Sequence, residues 1–143
     1  MRLFLDASVL LAAAGSPKGS SRALFSYAAT QGWALISSPY ALNEVLRNLP
    51  KLPPNATTDW LRLRPQVAVV DDVVSLDRPV IFDASKDRPI LFTALAWAEV
   101  LLTLDKTDFA EMLGGTFYGL RVLLPYDFLG RERAAGRLKA TKR

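Results

Sequence analysis

Residues 3 to 14 run Leu3-Phe4-Leu5-Asp6-Ala7-Ser8-Val9-Leu10-Leu11-Ala12-Ala13-Ala14, and Gly15-Ser16-Pro17 follows. The apolar triplet ends at an acid and is too short for a helix. The alanine-rich run after it is long enough for one, and the Gly-Ser-Pro sequence stops it, so the stretch predicts a strand followed by a helix. The same alternation continues along the chain. Ser20 is positioned to cap a second helix, with Leu24, Phe25, Ala28 and Ala29 as its apolar stripe and Gly32 as its end. Ala34-Leu35-Ile36-Ser37 is a second buried strand. Ser38-Pro39 then supplies an N-cap and a first-turn proline for a helix whose stripe is Leu42, Val45, Leu46 and Leu49. Pro50, Pro53 and Pro54 break that helix, and a short one through Trp60-Leu61 is expected before Pro65.

Val67 to Val70 is a third predicted strand, and residues 71 to 86 have no assignable pattern. Asp87 opens a helix with Leu91, Ala94, Leu95 and Ala98 on one side. The strand Val100 to Thr103, a short helix from Thr107 to Leu113 ending at Gly114-Gly115, and a last strand from Arg121 to Leu124 complete the series. Strands alternating with helices at these spacings predict an α/β, Rossmann-like three-layer fold with a mainly parallel central sheet. One domain is expected over residues 1–129, followed by a basic tail over residues 130–143. Of the chain's 18 basic and 14 acidic residues, the tail holds six (Arg131, Arg133, Arg137, Lys139, Lys142 and Arg143) and one (Glu132), which leaves 12 and 13 before it. The formal charge of +4 therefore belongs to the tail, which is either a phosphate-contacting arm or a solvated end.

Composition also excludes chemistry. With no cysteine and no histidine, there is no disulfide framework, no thiolate zinc site and no Ser-His or Cys-His nucleophile. Hydrolytic chemistry must rest on carboxylates, lysine or metal. The apolar run Ala7 to Ala14 is far below membrane-spanning length, and Asp6 interrupts the N-terminal apolar segment, so neither a signal peptide nor a membrane anchor is expected and a cytoplasmic location is. Gly15-Ser16-Pro17-Lys18-Gly19-Ser20-Ser21 lacks the spacing of a phosphate-binding P-loop. Trp33, Trp60 and Trp97 are expected to be core or half-buried aromatics rather than base-stacking platforms.

Ligands of a doubly wound sheet bind beyond the carboxyl ends of its strands. Asp6 closes the first strand and Asp105 follows the strand Val100 to Thr103 by two residues, so both reach one crevice if those strands are neighbours. Each is equally a natural helix cap. Glu44 lies roughly 200° around its helix from Leu42, away from the apolar stripe, and either faces a site or is a surface glutamate beside Arg47 and Asn48. Asp87 is a further candidate or a cap, and Asp108 a first-turn acid complementing a helix dipole. Crowded carboxylates repel unless a cation neutralises them, and oxygen-only ligands select Mg²⁺ or Mn²⁺. Such an ion can lower the pKa of a bound water and stabilise charge on a leaving oxygen.

Four segments, in order, resemble the PIN-domain family and specifically its short VapC-like toxins. They are Phe4-Leu5-Asp6-Ala7-Ser8-Val9-Leu10, Ser37-Ser38-Pro39-Tyr40-Ala41-Leu42-Asn43-Glu44-Val45-Leu46, Lys86-Asp87-Arg88-Pro89-Ile90-Leu91 and Leu102-Thr103-Leu104-Asp105-Lys106-Thr107-Asp108-Phe109. Val122 to Leu129 is similar to the family's closing segment, and Leu104 stands where a small residue is common. The resemblance implies a Mg²⁺- or Mn²⁺-dependent endoribonuclease with Asp6, Glu44, Asp87 and Asp105 at the metal, leaving 5′-phosphate products. Ser8, Thr103 and Asp108 would support the acids. It further implies a homodimer, an RNA substrate and a cognate antitoxin protein. An RNA-processing nuclease that is not a toxin and a catalytically silent RNA-binding domain share these features, and so does a metal-dependent phosphatase. A haloacid-dehalogenase role for Asp6 fails, because Ser8 stands where that chemistry needs a second aspartate.

Overall fold

The computed structural model describes residues 1–73 and 88–138. Among these residues six strands form one sheet: β1 (Arg2–Leu5), β2 (Ala34–Ser37), β3 (Ala68–Val69), β4 (Val100–Leu102), β5 (Thr116–Phe117) and β6 (Leu120–Leu123), in the order β3-β2-β1-β4-β6-β5. All pairings are parallel except β5 with β6. Six α-helices accompany them among the described residues: α1 (Ala7–Gly15), α2 (Ser20–Gln31), α3 (Pro39–Asn48), α4 (Pro54–Leu63), α5 (Arg88–Trp97) and α6 (Pro125–Ala134). This is the expected α/β fold with a mainly parallel sheet. No helix among the described residues is long and apolar enough to cross a membrane.

The strands alternate their side chains between two cores. Leu3, Leu5, Leu35, Val100, Leu102 and Leu123 pack with α1, α2 and α4 on one face. Phe4, Ile36, Leu101 and Val122 pack with α5 and Phe109 on the other. Because both faces are covered, the central strands read as continuous apolar runs. The chain winds from β1 outward to β2 and β3, then returns through α5, on the opposite face, to lay β4 beside β1. The switch point of the sheet therefore lies between β1 and β4, where such folds open a crevice.

Local chemistry accounts for the differences from expectation. α2 starts at Ser20, with Gly19 in the N-cap position and no side-chain cap, so Ser20 is not the cap. Ser38 does cap α3, with Pro39 in its first turn. In α3 the buried residues are Ala41 and Val45, with Leu49 following and Leu42 partly covered, whereas Leu46 is 60% exposed. One residue, about 100°, past Val45 carries Leu46 over the edge of the core. Thr107 to Leu113 forms turns rather than a helix: its backbone closes i-to-i+3 bonds, Ala110 N–H to the Thr107 carbonyl and Met112 N–H to that of Phe109, although the Thr107 and Asp108 N–H groups bind the Asp105 carboxylate as they would an N-cap. β5 and its hairpin were not anticipated. Its turn places both Tyr118 (φ 50) and Gly119 (φ 86) at positive φ, the type I′ geometry that matches strand twist but normally uses Asn-Gly. The last strand ends at Leu123, and Pro125 opens α6 instead of merely ending the strand. Trp33 and Trp60 are buried and Trp97 is partly exposed, its indole N–H donating to the Asp71 carbonyl.

The segment starting at residue 130 begins inside α6. Glu132 is buried and paired with Arg137, Arg131 binds Asp127 and the Gly114 carbonyl, and Leu138 packs on the first core. Two of its six cations are thus engaged within the fold, and Lys139, Lys142 and Arg143 lie outside the described residues.

α1 is fixed against its neighbours by Arg22 of α2. That guanidinium donates to the Ala13 carbonyl (2.6 Å) and more weakly to that of Ala14 (3.4 Å), and pairs with Asp59 of α4 at 2.8 Å. The pair is mostly shielded from solvent, so Arg22→Ala leaves α1's terminal carbonyls and Asp59 without their donor. Unfolding in urea should show a loss of about 2 kcal/mol; an unchanged midpoint would mean water replaces the guanidinium freely.

Candidate active site

Asp6 and Asp105 arrive together at the switch point. Leu5 is in register with Leu102, so the next residues, Asp6 and Thr103, lie side by side, with the Asp6 N–H donating to the Leu102 carbonyl (3.0 Å). Asp6 caps α1 through Oδ1, which accepts the Ala7 N–H at 2.8 Å. Its Oδ2 accepts two hydroxyls, Ser8 Oγ and Thr103 Oγ1, each at 2.8 Å.

Both hydroxyls are held in place from behind. The Leu104 N–H donates to Ser8 Oγ (3.0 Å), and the Asp105 N–H donates to Thr103 Oγ1 (3.0 Å). With an incoming N–H on each oxygen, each hydroxyl directs its own proton to Asp6. The loop after β4 is thereby tied to the carboxylate at the end of β1 by two N–H to hydroxyl to carboxylate chains. Asp105 Oδ1 accepts the Thr107 and Asp108 N–H groups at 3.0 and 2.9 Å. Each aspartate is thus a cap as well as a candidate ligand, and the two roles use different lone pairs. A carboxylate offers roughly four acceptor positions. Three on Asp6 and two on Asp105 are taken by these bonds.

Electrostatics couples the two acids. Asp6 is 5% exposed, and burial pushes its carboxyl above the ordinary carboxylate range. The hydroxyls of Thr103 and Ser8 and the Ala7 N–H pull it back down, and the Asp105 charge raises it further. A divalent cation between them would relieve both the burial and the repulsion.

Glu44 sits in the second turn of α3, half-buried, with its backbone carbonyl accepting Asn48 Nδ2 at 2.8 Å. It lies about 60° around the helix from Ala41, whose side packs into the second core; this explains why it is not a fully solvated surface glutamate. It is not among the groups that shift Asp6. Asp108 is half-buried, and with no helix at residues 107–113 its expected dipole role is replaced by the turn that Asp105 organises. Asp87 lies outside the described residues. Among the described residues no group of three or more acids could hold a metal; two of the sequence-derived acids, Asp6 and Asp105, converge.

One supporting residue had no assigned role. Ser37, fully buried at the end of β2, donates to the Leu5 carbonyl at 2.9 Å, anchoring the backbone ahead of Asp6. Its signal was a polar residue closing an otherwise apolar strand. Comparison with protein-family models and with curated proteins finds no match to this chain.

Proposed function

We propose that this chain is a Mg²⁺- or Mn²⁺-dependent endoribonuclease of the PIN type, serving as the toxin of a toxin–antitoxin pair. The observation that carries the reading is the buried Asp6 beside Asp105 at the sheet's switch point. In a chain without histidine or cysteine, the two acids keep lone pairs that the protein does not use. Oxygen-only donors of this kind fit a hard cation. Asp6 and Asp105 would hold it, with Asp87 and Glu44 completing the set. When bound, such an ion activates water and offsets charge on the phosphate and the departing 3′ oxygen. Ser8 and Thr103 orient the Asp6 carboxylate by donating to Oδ2, which leaves the second acceptor position of Oδ1, beside the Ala7 N–H, for a cation. Asp105 is held by the two N–H groups on its own Oδ1, so its Oδ2 is the oxygen presented. Burial of Asp6 keeps water away from the inner side of the pair. The cognate antitoxin, a homodimeric assembly and a cytoplasmic location belong to the same proposal.

The test is cleavage of a fluorescent single-stranded RNA by the purified chain, with Mg²⁺ or Mn²⁺ and with EDTA, beside a nitrophenyl phosphate ester. Metal-dependent cutting of RNA with no ester turnover is expected. Ester turnover alone would make the chain a phosphatase, and RNA binding without cutting would make it a silent binder. Expression without a partner should arrest growth, and growth unaffected by an active nuclease would indicate an RNA-processing role instead.

A further inference from the structure

We infer that the groove beside Asp105 seats one nucleotide of the substrate strand next to the bond that is cut, an inference that rests on the ribonuclease reading. The groove has a volume of about 440 Å³ and shares the carboxyl end of the sheet with the acids. Leu104 and Lys106, which flank Asp105 in the chain, form one wall. The turn after α1 with the first residues of α2 forms another, and the start of α6 a third.

Its lining combines two chemistries. Leu104, Pro125 and Tyr126 offer apolar surface, and Tyr126 is 78% exposed. Aromatic faces presented in this way stack on bases of any identity. On another wall α2, a helix of 12 residues, begins without a side-chain cap, so its first N–H groups have no acceptor from Gly19. Ser21 lines the groove there and is 4% exposed. Its hydroxyl is not among the buried side-chain atoms left without a partner, so it is open to an acceptor in the groove. Lys106 is exposed and is the single charged residue of the lining among the described residues. A helix N-terminus, an available hydroxyl and one cation suit a phosphate, and an aromatic face in the same groove suits its base. Among the described residues no carboxylate lines the groove to repel the anion.

The test uses a fluorescein-labelled pentauridylate and the full chain in EDTA, where nothing is cut and binding alone is read. Tyr126→Ala and Lys106→Gln alter exposed positions and leave both cores intact. Tyr126→Ala should raise Kd about tenfold. Lys106→Gln should weaken binding and reduce the slope of log Kd against log salt by about 0.7. With Mn²⁺ both should raise KM and leave kcat within about twofold. Wild-type affinity in both variants would overturn the groove assignment even if the chain cuts RNA. Weakened binding in a chain that cuts no RNA would keep the groove and remove the ribonuclease reading.

Discussion

In Asp6→Asn, RNA cleavage should fall by at least about a hundredfold while the metal-free protein becomes more stable at neutral pH. Both effects arise from one carboxylate. Asparagine fills the same space and keeps an oxygen for the Ala7 N–H, but it removes the charge a cation needs. The stability gain has a definite pH dependence. Burial, with the Asp105 charge adding to it, raises the folded-state pKa of Asp6 above its ordinary value. Folding therefore takes up protons: the stabilising contribution of protonated Asp6 is fully present below the unfolded pKa of about 4 and is lost as pH rises through the folded value. Above that value the wild-type chain carries a buried charge that the variant lacks. The gain of Asp6→Asn in EDTA should thus be largest at neutral pH and shrink towards pH 4, as followed by urea unfolding at several pH values. A variant less stable than wild type at pH 7 would show that the hydrogen bonds to Asp6 outweigh its burial.

The second large effect is expected at a residue that touches neither substrate nor water. Thr103 is fully buried, and its hydroxyl both accepts the Asp105 N–H and donates to Asp6. Thr103→Val keeps the shape and removes both bonds. Stability should fall by about 1–3 kcal/mol, because a backbone N–H loses its acceptor. Cleavage should fall about 10- to 100-fold, the usual effect of losing an outer partner of a metal ligand. Thr103→Ser restores the hydroxyl and omits one methyl, worth about 0.8 kcal/mol, so it should recover activity without recovering all the stability. Equal activity of the valine and serine variants would mean that Asp6 is held well enough by Ser8 alone.

Asp6 and Asp105 were legible in the sequence for a physical reason, whereas Thr103 entered only through the family resemblance. An apolar triplet stopping at Asp6 and a strand from Val100 to Thr103 followed within two residues by Asp105 mark strands buried on both faces, and residues just past such strands converge wherever the strands are neighbours. Neighbourhood itself was a condition that sequence periodicity leaves open, and the β1–β4 register supplies it. The same local signs failed elsewhere. Thr107 to Leu113 carries a helical pattern and Asp105 caps its start, but the backbone closes a series of i-to-i+3 turns instead. Pro125 fits the end of a strand as well as the first turn of a helix, and only the buried Phe128, Leu129 and Glu132 distinguish the two. Tyr118 has no turn propensity that would mark a type I′ hairpin. Leu46 belongs to the helical repeat of α3, yet the breadth of the core beneath that helix decides its exposure.

The central claim, that Asp6 and Asp105 share one hard cation, is tested most directly by calorimetric titration of Mn²⁺ into the metal-free wild-type chain and into Asp105→Asn. Saturable binding by the wild type, weakened at least about tenfold in the variant, is expected. Indistinguishable isotherms, or a wild-type chain that takes up no Mn²⁺, would contradict it.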